Sequence, residues 1–146
     1  MRIVVMDQEA VQKYSNSSHQ ETSAIISIYS ARGRKACIKP SLRNNIKELL
    51  YLCFDDATMY DGGAKWMSQL DAAMLVDFAL HWRNEDVDIL IIQCEYGEGR
   101  SVGCAEALSE YFFNTHLPEE VTENMNVWCY NRTKRWLDHN HKEGLV

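Results

Sequence analysis

The run Val87–Ile92 (VDILII) constrains this chain more than any other stretch, because it is apolar throughout apart from Asp88. A short, unbroken apolar strand is buried on both faces, as in a parallel sheet covered by helices. Three other runs repeat the theme. Arg2–Met6 reads as a short buried strand, Ala24–Tyr29 (AIISIY) is β-branched and too short for a helix, and Leu49–Phe54 (LLYLCF) stops abruptly at Asp55 and Asp56. Helical signals fall between and after them. Gln8–Tyr14 makes a turn or two. Ser68 is an N-cap with Asp71 three residues on, an aspartate version of the capping box. Leu70, Ala73, Met74, Phe78, His81 and Trp82 follow at i, i+3, i+4 spacing and form the expected apolar stripe. Ser101–Phe113 is helical with Ala105, Leu108 and Phe112 on its inner face, and 114–124 connects to a last helix from about Met125 to His139. Ser15–Thr22, Ser30–Asn45 (with Gly33 and Pro40) and the segment around Asp61, Gly62 and Gly63 read as loops. This alternation predicts one α/β domain over residues 1–146. Its central, mostly parallel sheet has four to five strands, with helices on both faces and right-handed crossovers.

Composition narrows the function. With 146 residues, 46% hydrophobic and 25% charged, the chain is an ordinary globular protein by composition. A net charge of −6 argues against non-specific binding to nucleic acid or to an anionic membrane. The small basic cluster Arg32, Arg34 and Lys35 reads as a solvated loop. No segment approaches the roughly 18 apolar residues of a membrane span, and Met1–Val5 is too brief for a secretory leader. The five cysteines (Cys37, Cys53, Cys94, Cys104, Cys129) make no CxxC pair and no Cys/His zinc pattern. The five histidines (His19, His81, His116, His139, His141) show no paired metal spacing. The expectation is a reducing cytoplasmic setting with no metal and no cofactor, in which a special cysteine is catalytic.

The chemistry concentrates in Asp88–Leu108, DILIIQCEYGEGRSVGCAEAL. An apolar strand ends at Gln93, Cys94 stands at its carboxyl end, a loop of Glu95, Tyr96, Gly97, Glu98 and Gly99 follows, and a helix opens around Arg100 and Ser101. Ligands of α/β sheets bind at the carboxyl ends of strands. A helix start offers unpaired N–H groups and a positive dipole end. Gly97 and Gly99 let the loop curl so that its amides converge as an anion nest. Arg100 adds a planar donor pair suited to two phosphate oxygens. The same field favours the anionic sulfur at Cys94, and the Ser101 hydroxyl can donate to it. Together these parts fit nucleophilic attack on phosphorus with electrostatic stabilisation.

In this stretch of about 20 residues the sequence resembles the protein tyrosine phosphatase superfamily, whose signature is Cys-x5-Arg followed by Ser or Thr. It looks most like the small dual-specificity members, including bacterial and phage ones. The late position of the motif disfavours the low-molecular-weight branch. The resemblance implies a phosphotyrosine phosphatase-like fold and hydrolysis of phosphomonoesters through a phosphocysteine, without a metal. Phosphorylated proteins or small phosphomonoesters would be the substrates. It also implies a general acid, an aspartate on a loop before the long helix that leads to the cysteine strand. Matching strand end and helix, Asp56 fits best, Asp55 is second and Asp61 third. One departure stands out: the family usually has histidine immediately before the cysteine, and here it is Gln93. Glu95 and Glu98 also put two carboxylates in the loop, which leave phosphate binding intact only if they point outward.

Two rival functions stand beside this reading, the first favoured by those departures. One is a phosphate-recognition module that binds without turnover. The other is a rhodanese-like sulfur-transfer or thiol redox protein using the same cysteine, for which a persulfide or a Cys53–Cys94 disulfide would be the mark. Cys37, Cys104 and Cys129 read as core residues, as do most of Trp66, Trp82, Trp128 and Trp136. Trp66, Tyr60 and Tyr96 are candidates to line a cleft, and Asn131 and Arg132 to brace the loop from the last helix.

Overall fold

The computed structural model describes residues 1–57 and 62–144, with side chains as far as His139. Tyr60, Asp61 and the His141 side chain therefore lie outside the described residues. Four strands form one sheet: β1 (Arg2–Met6), β2 (Ser23–Tyr29), β3 (Ile46–Cys53) and β4 (Ile89–Gln93). Their spatial order is β1-β4-β2-β3 and every neighbouring pair is parallel. The VDILII run supplies β4, which lies between β1 and β2, and all five of its residues are buried. The helices are α1 (Gln8–Ser15), α2 (Gln69–Asn84), α3 (Arg100–Phe113), the short α4 (Glu119–Thr122) and α5 (Val127–Gly144). Residues 114–124, expected to be a plain connector, thus contain one helical turn.

Strand alternation divides the interior in two. Ala24, Ile26 and Ile28 of β2 and Leu90 and Ile92 of β4 face a cluster that includes Leu75, Val76 and Ala79 of α2, Leu108 of α3 and Leu137 of α5. Ile25, Ile89 and Ile91 face the opposite side, where Val11 of α1 packs with Ile38 and Ile46. Helices therefore cover both faces of the sheet, which is the α/β architecture the alternation predicts. Ile25, Ile26, Leu90, Ile91 and Ile92 are fully buried, each worth about 1.5–3 kcal/mol of hydrophobic stabilisation. Among the described residues no helix is long and apolar enough to cross a membrane.

The face of α2 differs from the expected stripe. The capping box of Ser68 and Asp71 is present, but the buried residues are Ala72, Leu75, Val76 and Ala79. Leu70 and Met74 are exposed, and Phe78 and Trp82 sit half-buried at the margin. Both stripes have helical spacing. The small alanines win because they let the helix lie close to the sheet, while the bulkier stripe lies rotated away from it.

Every residue of α3 from Arg100 to Ser109 is buried, because the helix is wedged between the β1–β4 edge and α5. At the crossing of α3 and α5, Gly103 permits backbone approach: an added Cβ would lie 2.5 Å from the Asn126 carbonyl oxygen and 3.1 Å from the Tyr130 nitrogen. An alanine in a helix interior normally gains about 1 kcal/mol over glycine. Here the overlap with backbone overrides that gain, so Gly103→Ala is expected to lower stability by about 1–3 kcal/mol, measured by urea denaturation. An unchanged or raised midpoint would show that the two helices are not in fixed contact.

Candidate active site

Along the end of β4 the alternation sends Gln93 and Cys94 to opposite faces. Gln93 turns to the α1 side, where the Ser27 hydroxyl donates to its Oε1 in a buried pair. Cys94 belongs to the side covered by α2, α3 and α5, with its Sγ 3.1 Å from Ser101 Oγ. The loop between them and α3 is held on the β1–α1 junction. Gln8 N–H donates to the Glu95 carbonyl at 3.1 Å. Gly97 has φ +66°, and a Cβ there would meet Asp7 N at 2.8 Å, so the position requires glycine twice over. Glu95, Tyr96 and Glu98 are exposed around this loop. Helix α3 then starts at Arg100, and no side chain caps it at Gly99. Its first N–H groups keep the donor capacity that makes helix starts bind anions.

Arg100 is the most unusual group in the fold. It is 3% exposed. Its Nη1 donates to Ser30 Oγ at 2.9 Å and to the Phe54 carbonyl at 3.0 Å, which ties the ends of β2 and β3 to the start of α3. Its Nε is buried with no hydrogen-bond partner. Among the described residues no carboxylate forms an ion pair with it. A guanidinium at the first residue of a helix also faces the wrong end of the dipole. A buried cation with neutral partners, an unmet donor and an adverse helix field is a group arranged for an anion.

The two adjacent aspartates separate cleanly. Asp55 accepts from the backbone N–H groups of Ala31 (3.0 Å) and Lys65 (2.9 Å), while its own N–H donates to the Lys65 carbonyl at 2.7 Å. It clasps the ends of the loop that follows β3. The Lys65 and Ala31 amides, with Arg100 and Arg32 nearby, hold its carboxyl below the ordinary aspartate range. Asp56 is exposed and lies against the loop that leads from Cys94 to Arg100: a Cβ on Gly99 would be 3.0 Å from its Oδ2. Asn126 Nδ2 donates to Asp56 Oδ1 at 2.7 Å, and Asn126 N–H donates to the Gly99 carbonyl at 3.0 Å. The same Asn126 accepts from Cys129 N–H through Oδ1 at the start of α5. Asn126, at the start of α5, is therefore the residue that joins the Asp56 loop, the Cys94 loop and the helix. Among the described residues Asn131 and Arg132, expected to brace the Cys94 loop, make no hydrogen bond to it. Asn131 is exposed, and Arg132 lies over the Trp128 ring at 4.5 Å. An Asn just before an apolar helical stretch is an N-cap signal, and that was the legible hint.

The remaining candidates fall away from the site. Cys53 pairs in register with Tyr29, while the preceding Leu52 and Ile28 face the Cys94 side. Cys53 and Cys94 thus point to opposite faces of the sheet, and a bond between them has no route in this fold. Cys104 and Cys129 are buried, and their contact together with burial pushes the Cys129 thiol far up. Cys37, expected in the core, is exposed. Trp66 is half-exposed and stacks edge-on against Trp128, ring centroids 5.7 Å apart. Away from the loop, Glu106, Glu110 and His116 bring ligand-type atoms within 4.8 Å of one another, a grouping that a search for paired histidines misses. Leu117 N–H donates to Glu106 and the Tyr130 hydroxyl to Glu110, so these carboxylates brace the segment after α3.

No family model matches the chain, and no curated protein matches it. Among solved structures it is similar to the crystal structure of human tyrosine phosphatase-like serine/threonine/tyrosine-interacting protein. The identity is 17% over 94% of this chain and 84% of that one, with a TM-score of 0.47.

The Asp55 clasp has a pH signature. Because its folded carboxyl is depressed, its stabilisation is present above the unfolded value of about 3.9 and is lost as pH falls through the lower folded value. Asp55→Asn is expected to melt below wild type at pH 7, with the gap closing below about pH 4. A gap that stays constant from pH 7 to pH 3 would remove the charge from the explanation.

Proposed function

We propose that the protein is a phosphomonoesterase of the protein tyrosine or dual-specificity phosphatase type, the whole chain acting as one domain in a reducing, cytoplasmic setting. The observation that carries this reading is Arg100: a buried guanidinium that makes no ion pair among the described residues and has an unmet Nε donor, at an uncapped helix start beside Cys94. Phosphate is the anion that suits such a set of donors, and Cys94 Sγ supplies a nucleophile next to it.

In the proposed reaction the Cys94 sulfur attacks phosphorus in line, forming an S–P bond as the P–O bond to the leaving group breaks. Asp56 gives its proton to the departing oxygen. A water then attacks the phosphocysteine and passes a proton to Asp56. The S–P bond breaks with its electron pair returning to sulfur, which the Ser101 hydroxyl stabilises by donation. Arg100 and the α3 amides hold the equatorial oxygens in both steps. Asp56 is favoured over Asp55 as the acid because Asp55 is occupied by two backbone donors, whereas Asp56 is exposed beside Gly99. Asn126 is a positioning residue that keeps Asp56 there. The rival reading, recognition without turnover, draws on Gln93, whose neutral amide stands where the resembled family has histidine.

Purified protein is expected to hydrolyse an aryl phosphate in EDTA and to lose this on Cys94→Ser. Asp56→Asn should lower kcat by about 10²–10⁴-fold, with Asp55→Asn costing far less. Equal rates for wild type and Cys94→Ser would reject the phosphatase, and vanadate binding without turnover would place the chain with the recognition modules.

A further inference from the structure

Helix α5 carries Arg132, Arg135, Trp136 and His139 at helical spacing, so the four share one of its faces. With Gln69, the first residue of α2, they line a concavity of about 150 Å³ between the two helices. Among the described residues no carboxylate lines it, and neither arginine forms an ion pair, in a chain whose net charge is −6. Two donors are left over here. Arg132 Nε and Trp136 Nε1 are buried and have no hydrogen-bond partner. Exposed arginines ordinarily meet water, but a buried indole N–H and a buried guanidinium Nε do not, and such groups are nearly always satisfied. Both side chains are also held in place. The Arg132 guanidinium lies over the Trp128 ring at 4.5 Å, and Trp128 Nε1 donates to the Met67 carbonyl at 3.0 Å, just before α2. Trp136 packs against the His139 ring, with centroids 6.2 Å apart. The donors sit on fixed side chains, and what they lack is an acceptor.

We propose that this concavity between α2 and α5 is a phosphate-binding site separate from the Cys94 loop. It stands on its own residues and does not depend on the reading of Cys94. Two guanidinium groups, an indole N–H, an imidazole and the Gln69 amide converge from two helices, so they approach a central anion from several directions. A tetrahedral oxyanion offers acceptors in as many directions. A carboxylate presents two oxygens in one plane, which a single arginine fork already satisfies. The Trp136 ring and the arginine stems form an apolar wall that lowers the local dielectric and strengthens the attraction. The start of α2 adds a field of the same sign. Asp71, the acid of that first turn, is turned back on Ser68 by the capping box. Asp138 lines a neighbouring concavity on α5 with Lys134 and Arg135. The phosphate arrives either as the free ion or on a phosphorylated side chain, since both present the same oxygens.

The Trp136 indole proton reports on this site directly. Its ¹H–¹⁵N signal, identified by its loss in Trp136→Phe, is followed as inorganic phosphate or a short phosphotyrosine peptide is added to the full chain carrying Cys94→Ser. Ionic strength is held constant, so that screening does not change along the titration. The signal should move saturably, with half-saturation on the order of 1 mM or below. Arg135→Gln alters an exposed side chain and keeps the fold; it should raise the half-saturating concentration about tenfold. Arg132→Gln/Arg135→Gln should abolish the shift. A lower half-saturation for the peptide assigns the site to phosphorylated proteins, and an equal or higher one assigns it to the free ion. A signal that stays still, that moves as far with acetate or chloride, or that moves undiminished in both arginine variants would overturn the site. No turnover is read in this titration, so its failure is distinct from a failure of the phosphatase reading.

Discussion

The architecture turns on one guanidinium placed where electrostatics alone would not put it. Arg100 is buried, opens a helix whose dipole repels it, and among the described residues donates hydrogen bonds to a hydroxyl and a carbonyl. Desolvating an unpaired cation costs several kcal/mol, and the rest of the fold supplies that from apolar burial. Those two partners come from the ends of β2 and β3, so the same side chain gathers three carboxyl ends of the sheet around one point. A local electrostatic penalty and a global convergence of strand ends are therefore one feature seen at two scales.

Holding that point steady falls to the contact between α3 and α5. Gly103 lets the backbone of residue 126 come within van der Waals distance of α3, and Asn126 then has one side chain to share among a helix start, Asp56 and Ala57. Its backbone N–H fixes Gly99 as well. The loop with the sulfur and the loop with the carboxylate are thus referenced to one residue rather than to each other. Movement of the Asp56 loop would have to break a 2.7 Å bond to a carboxylate, a charge-assisted interaction about twice as strong as a neutral one. This favours a site organised before any ligand arrives.

Much of this was legible in the sequence, and the failures have a common cause. The unbroken apolar character of VDILII announced a doubly covered strand, and the Cys94, Gly97, Gly99, Arg100 spacing announced a curled loop meeting a helix. Local chemistry determines both. The face of α2 was not legible, since Leu70/Met74/Phe78 and Ala72/Leu75/Val76/Ala79 have the same period and only packing against the sheet chooses between them. Asp55 and Asp56 were inseparable for the same reason: their roles depend on Lys65, Ala31 and Asn126, all distant in sequence. Asn126 carried a cap signal but nothing in the linear order tied it to residue 56. The period-two rule could have dismissed the Cys53–Cys94 pair once register was known, yet register itself is a tertiary fact.

The same rule gives a physical account of Gln93. Residues 93 and 94 lie on opposite faces of β4, so whatever occupies position 93 reaches the sulfur only through the backbone that joins them. Position 93 faces Ser27 across a parallel pair, in a fully covered layer where an unsatisfied polar group would cost about 1–3 kcal/mol. Glutamine and serine satisfy each other there. A histidine in that layer would bring a group that titrates near neutrality, whereas an amide presents the same dipole at every pH. Position 93 therefore contributes no pH-dependent charge to the layer behind residue 94.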